Sequence, residues 1–401
     1  FMRPWLPLLA SALVCASCTP INDYQSQSFE GNPKLLNFVE ESARWIMTLD
    51  VGSNNLTNLE TTELRDSIFI NSNLVRVLLS SYKLTGNTTH LNEALRWCDT
   101  FVGLQHQTVS SLGNSAGYWG TGYGPEPGHG EVYIADTGTA VQALAMCTHH
   151  VNATRAASYM GAMSRYHTFV TEGCITPPPQ RGATCPPKGQ GWIIPSGDDK
   201  GALGDGYYKG TINLTPYTIS TDTTGAAFYG EYLALKKDAT MEDIAVNAVS
   251  WLLARREPDG QIPYILAGKV WNTTIFQPIT YSAEGFVSAA LRIPRAAQLL
   301  KGLGPTVDWL VKNQNADGSW GTLMSADGQR SPRAATLLQY SLKDKYDPAV
   351  AQAIAKYVEY VLDNSQAYGV NKYVLVTGFV ALTFADLHTP FVTFGPPTPA
   401  L

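Results

Sequence analysis

The sequence predicts an all-α protein folded as an (α/α)6 toroid, a closed ring of six helical hairpins. Three observations carry that expectation. An aromatic residue recurs at matching places in six helix-like segments: Trp45 in EESARWIMTL, Trp97 in NEALRWCDTFV, Tyr166 in AMSRYHTFV, Trp251 in NAVSWLLARR, Trp309 in TVDWLVKNQ and Tyr357 in AIAKYVEYVL. Each segment is followed by a second helix-like stretch. The spacing, roughly 50 to 85 residues, lies in or above the range of structural repeats, whose units bury their apolar faces only against neighbours. Six such pairs close into a ring with a central cavity lined by the second, inner helices.

The elements follow in order. Outer helices are expected to begin near Pro33, His90, Thr154, Met241, Pro305 and Pro348, and inner helices near Asp66, Ala135, Ser220, Ser282, Pro332 and Lys372. The inner stretches carry helical apolar spacing, as in Phe69, Leu74 and Leu78, or Phe228, Tyr232 and Leu235. They hold few charges past the first turn, which suits burial. Between partners lies WLVKNQNADGSWG (309–321), with a degraded copy in WLLARREPDGQIPY (251–264). There Asp-Gly supplies a turn with positive φ, and the following Trp covers the junction. Two connections are much longer, from Gln107 to Tyr133 and from Cys174 to Tyr217. Loops of that length are usually functional or disordered, and their Trp and Tyr content argues against disorder. Both should lie on the ring face where inner helices begin.

The 401 residues are 44% hydrophobic and 15% charged, with net charge −5. That composition is globular. No basic run stands out, which speaks against nucleic acid binding. FMRPWLPLLASALVCASC reads as a signal peptide, with Arg3, an apolar Pro7 to Val14 stretch and small residues at Ala16 to Cys18. A bacterial lipoprotein is the weaker reading. The expected organisation is therefore a signal at 1–18 and a single toroid domain at 19–401, secreted and monomeric, without membrane attachment after cleavage. Sequons at Asn55, Asn87, Asn152, Asn213 and Asn272 fit a eukaryotic glycoprotein. Four cysteines remain past the signal, so two disulfides are expected, with Cys174–Cys185 and Cys98–Cys147 the favoured pairs. None of these four shows the CxxC spacing that would favour zinc.

Chemistry should sit where the inner helices start. Asp66, Asp136, Asp222 and Glu284 fall near four of the six starts. One acid there can simply complement the helix dipole; several in one cavity can raise the pKa of one member, which general acid catalysis requires. Asp136, in YIADTGTA, is the first choice for a catalytic acid, with Asp66 and Asp222 beside it. Trp119, Tyr123, Trp192 and Tyr208 are expected to wall the cleft, joined by Tyr133 and Tyr207. Tyrosine and tryptophan present flat apolar faces to the C–H faces of sugars, though each is as readily core packing. Arg330 and Arg333 could clamp a carboxylate through a planar fork, and Lys209 could pair with one. His129, in PGHGE, is a loop histidine with a surface role as its plainer reading. Asp198, Asp199 and Asp205 offer oxygen ligands for calcium, without the EF-hand order. No metal or cofactor is called for, and no phosphate loop or GxSxG elbow is present.

With the ring, its turn device and these acids, the chain resembles the six-hairpin glycosidase superfamily. The nearest analogy is with the unsaturated uronyl hydrolases of glycoside hydrolase families 88 and 105, through RDS (65–67) and ADTG (135–138). Arg65 stands where that family often has a histidine. The resemblance implies that Asp136 acts as general acid and base and that Asp66 assists it, on uronic-acid-containing or cell-wall oligosaccharides. A polysaccharide lyase using Tyr133, Tyr207, Tyr208 or His129 is the alternative within enzymes, and an α-mannan glycosidase another. A terpene-cyclase-like toroid lacks its DxDD or DDxxD acids here. The last alternative is a non-catalytic sugar-binding ring.

Overall fold

The structure, a computed structural model, describes residues 29–49, 68–120, 132–173, 190–208, 211–271, 275–321, 328 and 331–395. These residues form a ring of alternating outer and inner helices. The outer series is Pro33–Ile46, Thr88–Leu104, Ala153–Glu172, Ala239–Ala254, Gly304–Lys312 and Pro348–Tyr368. The inner series begins with Ile68–Thr85 and Ile134–Thr148. Its third member runs from Thr218–Ser220 through a π-helical stretch, Thr221–Phe228, into Tyr229–Lys236. Gln277–Arg292, Ala334–Ser341 and Val374–His388 complete it. Each inner helix packs on the next, and the last packs on the first, which closes the ring.

Sequence chemistry separates the layers. Five outer helices start at an Asx cap: Asn32, Asn87, Asn152, Asp238 and Asp347 each accept a hydrogen bond from a first-turn N–H. Their apolar residues face inward only. The inner helices are buried all round; every residue from Val374 to Leu387 is buried. The recurrent aromatics all fall on outer helices, as expected, and Trp97, Tyr166, Trp251, Trp309 and Tyr357 are buried there. One expected outer boundary shifts. The fifth outer element starts earlier than Pro305, in a short helix Pro294–Leu300 that leads through a 3-10 turn into Gly304–Lys312.

The turn device works as its residues dictate. Gly318 has φ 93° and Gly260 φ 104°, the left-handed region that favours glycine. Trp320 is buried, donates its indole N–H to Leu310 O at 2.9 Å and packs on Tyr357 at 5.1 Å. Cys98 and Cys147 are disulfide-bonded, Cα–Cα 6.8 Å, tying the second outer helix to the second inner one. Cys174–Cys185, like the signal segment, lies outside the described residues. Among the described residues, no helix is long and apolar enough to cross a membrane.

Candidate active site

All inner helices run the same way, so their N-termini gather at one end of the ring, the front mouth. The long connections reach it as small sheets. β1 (His106–Val109) pairs with β2 (Ser115–Tyr118). β3 (Val132–Tyr133), β4 (Gly204–Tyr208) and β5 (Thr211–Pro216) form a three-stranded sheet, and β6 (Tyr264–Leu266) pairs with β7 (Lys269–Trp271). The loops therefore do lie where the inner helices begin.

Asp136 stands in the first turn of the second inner helix and is partly exposed. Its turn is anchored from the outer layer: buried Tyr166 hydrogen-bonds the Thr137 hydroxyl at 2.7 Å and donates to Ile134 O at 3.0 Å. β3 feeds directly into this helix, and Tyr133 lies opposite Gly206 of β4. Gly206 is required there, since it has φ 137° and an added Cβ would meet Val132 O at 1.8 Å. That close approach brings Asp205, almost fully buried, alongside the start of the Asp136 helix. Tyr217, just before the third inner helix, shares a 3.0 Å hydroxyl–hydroxyl hydrogen bond with Tyr264 of β6. Burial above all, then Tyr264, Asp205 and Asp136, hold the Tyr217 phenol well above its ordinary pKa, so it remains protonated at neutral pH. Asp136 and Asp205 thus both act on Tyr217, which is paired with Tyr264.

The aromatic lining differs from expectation. Trp119 and Trp192 have no exposed surface; Trp119 donates to Phe101 O at 2.7 Å and stacks near Tyr166, and Trp192 packs on Phe169. Both bind the long connections to the core instead of facing a cleft. Aromatics occupy the cap position of four inner helices: Tyr133, Tyr217, Phe276 and Tyr373, none with a side-chain cap bond. Of these, Tyr133, Tyr217 and Tyr373 keep part of their surface exposed. This regularity, an aromatic immediately before an inner helix, is a signal the sequence carries in YIADTGTA, YTISTD and KYVLVTG. Tyr207 and Tyr208 lie on β4; only their backbone is described. Asp66, Tyr123, His129, Lys209 and Arg330 lie outside the described residues.

The four acids are not equivalent. Asp222 lies in the π-helical stretch, fully buried, packed so tightly on Gly285 that a Cβ there would meet its Oδ1 at 2.3 Å. Glu284 lies deeper, because its helix starts at Gln277 and not near Ser282. It is buried between Arg76 Nη2 at 2.8 Å and Arg333 Nε at 2.5 Å. Arg333 also pairs with Asp386 at 2.8 Å and donates to the Thr393 hydroxyl at 3.2 Å. Neither Glu284 nor Arg333 is therefore available to hold substrate; each neutralises the other in the ring interior. Burial alone would raise the Glu284 pKa, but Arg333 and Arg76 hold it below the ordinary carboxylate value. Of the acids weighed as oxygen ligands, Asp199 pairs with Arg255 at 2.6 Å and accepts from Trp251 at 3.1 Å, whereas Asp205 belongs to β4.

Known structures share this architecture. An α-1,6-mannanase of Salegentibacter sp., inactivated at two adjacent aspartates and complexed with α-1,6-mannotetrose, matches with TM-score 0.56 at 13% identity over 88% of this chain and 98% of that one. A family 76 α-mannanase from Bacteroides thetaiotaomicron matches with TM-score 0.61 at 11% identity, over 89% and 96% of the two chains. A possible family 105 member from Salmonella enterica matches with TM-score 0.56 at 9% identity, over 90% and 95%. No protein-family model matches the sequence, and neither does any curated protein. The chain shares the (α/α)6 toroid fold of these structures.

Proposed function

We propose that this chain is a secreted glycoside hydrolase that cleaves cell-wall oligosaccharides at the front mouth, with neutral sugars ahead of uronic acids. The observation that carries the reading is the company Asp136 keeps: a second carboxylate, Asp205, and the Tyr217–Tyr264 hydroxyl pair at 3.0 Å. Asp136 donates a proton to the departing glycosidic oxygen and then serves as base toward water. Asp205 is the second carboxylate of the pair, and Asp66 is kept as a supporting acid. Asp222, buried behind them, is a positioning group. Tyr133, Tyr217 and Tyr373 offer partly exposed ring faces for sugars.

Neutral sugars come first for two reasons. Arg333 is engaged with Glu284 and Asp386, which leaves Lys209 and Arg330 as the carboxylate partners for a uronate. The Salegentibacter structure holds a mannan fragment, so α-1,6-mannan is the first substrate to test. Secretion is supported by the Cys98–Cys147 disulfide and by exposed sequon asparagines Asn87 and Asn152. The test is product analysis on α-1,6-mannan, an unsaturated uronide and a uronate polymer. New reducing ends from mannan support the reading. Loss of uronide absorbance redirects it to the uronyl hydrolases, and a gain of absorbance from the polymer replaces hydrolysis with lyase chemistry.

A further inference from the structure

The inner helices end at the opposite side of the ring, and a second cavity of about 530 Å³ opens there. It is built from C-terminal ends: Lys83 two residues before the end of the first inner helix, Leu291 and Arg292 at the end of the fourth, and Lys343 just beyond the fifth. Phe391 and Val392, from the segment after the last inner helix, complete an apolar wall. The volume is within the usual ~300–1,000 Å³ of small-molecule sites.

Among the described residues, the buried charges around Lys83 and its neighbours are unbalanced. Arg76, Arg292, Arg333 and Lys83 face Glu231, Glu284 and Asp386. Glu284 and Asp386 serve Arg76 and Arg333, and Glu231 lies 4.0 Å from Arg292. Lys83 donates to the Val392 carbonyl at 3.2 Å. Lys343 adds a fifth cation at the rim, with Nζ 5.7 Å over the Phe391 ring. We propose that this rear cavity binds a small organic carboxylate with an apolar body, its charge on Lys83 and Lys343 and its body against Leu291 and Phe391. Burial lowers the Lys83 pKa to about 8, opposed by Glu231 and Asp386 and assisted by Arg292 and Arg76. A bound anion supplies the missing counter-charge. The inference is independent of what the front mouth does.

Calorimetric titration of the full chain with octanoate at pH 7 tests it, with octanol and acetate as the body without the charge and the charge without the body. Octanoate should bind once per chain, at least about tenfold more tightly than either control. Lys83→Met should weaken it by at least about tenfold, the scale expected for a lost charged hydrogen bond, and Lys343→Met by a few-fold. Affinity should hold below pH 8 and fall above it, as Lys83 loses its proton. In that range His149, lowered to about 4 by burial and then by Lys83, His150 and Arg292, stays neutral. His150 is lowered by burial and Lys83 as well. Should Lys83→Met fail to fold, Lys343→Met and the pH series carry the test. Equal affinity for octanol, unchanged binding in both variants, or no heat with octanoate overturns the proposal.

Discussion

Replacing Glu284 with alanine should unfold this ring at markedly lower temperature. The side chain is 4% exposed and lies between Arg76 at 2.8 Å and Arg333 at 2.5 Å. Removing it leaves two buried guanidiniums, of which Arg333 keeps Asp386, with Glu231 already beside Arg292. Breaking a buried ion pair from one side costs about 3–5 kcal/mol, because the surviving charge stays desolvated. Unfolding entropy near 60 °C is about 2.1 cal/mol/K per residue, so over this chain roughly 0.8 kcal/mol/K, and Tm should drop by about 4–6 °C. Arg333→Met in the same background restores the charge balance. The double variant should then be less destabilised than the sum of the singles by about 1–3 kcal/mol. Differential scanning calorimetry with urea titration of the wild type, both singles and the double measures this cycle. Additive effects, or a Glu284→Ala Tm within about 1 °C of wild type, would refute the assignment of these residues to the interior. A substrate clamp predicts the opposite pattern for Arg333→Met: altered KM with Tm unchanged.

Three further outcomes are expected. Burial, then Lys236, lower His167 to about 4, opposed by Asp238 and Glu172; the unfolded chain binds the extra proton between that value and about 6.5, so stability is complete above pH 6.5 and is lost on acidification toward 4. His167→Phe, which keeps a ring beside Tyr229 and Tyr232, should flatten that pH dependence by about 1–3 kcal/mol in thermal melts from pH 7 to 4; an unchanged slope would remove His167 as the cause. The Cys98–Cys147 bond spans 49 residues, so Cys98→Ala with Cys147→Ala should cost about 2–4 kcal/mol by loop-closure entropy, checked by urea denaturation, with non-reducing peptide mapping confirming the pair. Gly206→Ala should break the β3–β4 approach at a cost of about 1–3 kcal/mol and lower any front-mouth activity; a variant with normal stability and turnover would show that this approach is not needed.

The ring was legible because its period is long-range and redundant. Each outer helix announces itself by an aromatic on its buried face, and several by an Asx or proline start that obeys local capping chemistry. The Asp-Gly turn and its Trp were legible for the same reason, since positive φ and a covered junction are local demands. Depth within the ring was not. Sequence places Glu284 near a helix start, but its helix begins at Gln277, and two turns move a carboxylate from mouth to interior. Arg333 precedes its helix, yet its partners come from distant inner helices. Trp119 and Trp192 looked like cleft aromatics because they lie in long loops, and a loop residue's burial depends on what it folds back upon. Asp205 was visible only as a loop acid; its place on the strand against β3, which leads into the Asp136 helix, follows from a contact between two separate connections.

The most direct test of the central claim is the turnover of Asp136→Asn on whichever saccharide the wild type cleaves. Asparagine keeps shape and polarity at the head of the second inner helix but cannot deliver the proton. General acid–base catalysis contributes about 10²–10⁴-fold, so kcat should fall at least about a hundredfold, with Tm and saccharide binding preserved. Turnover within a few-fold of wild type would contradict the account and move the chemistry away from Asp136.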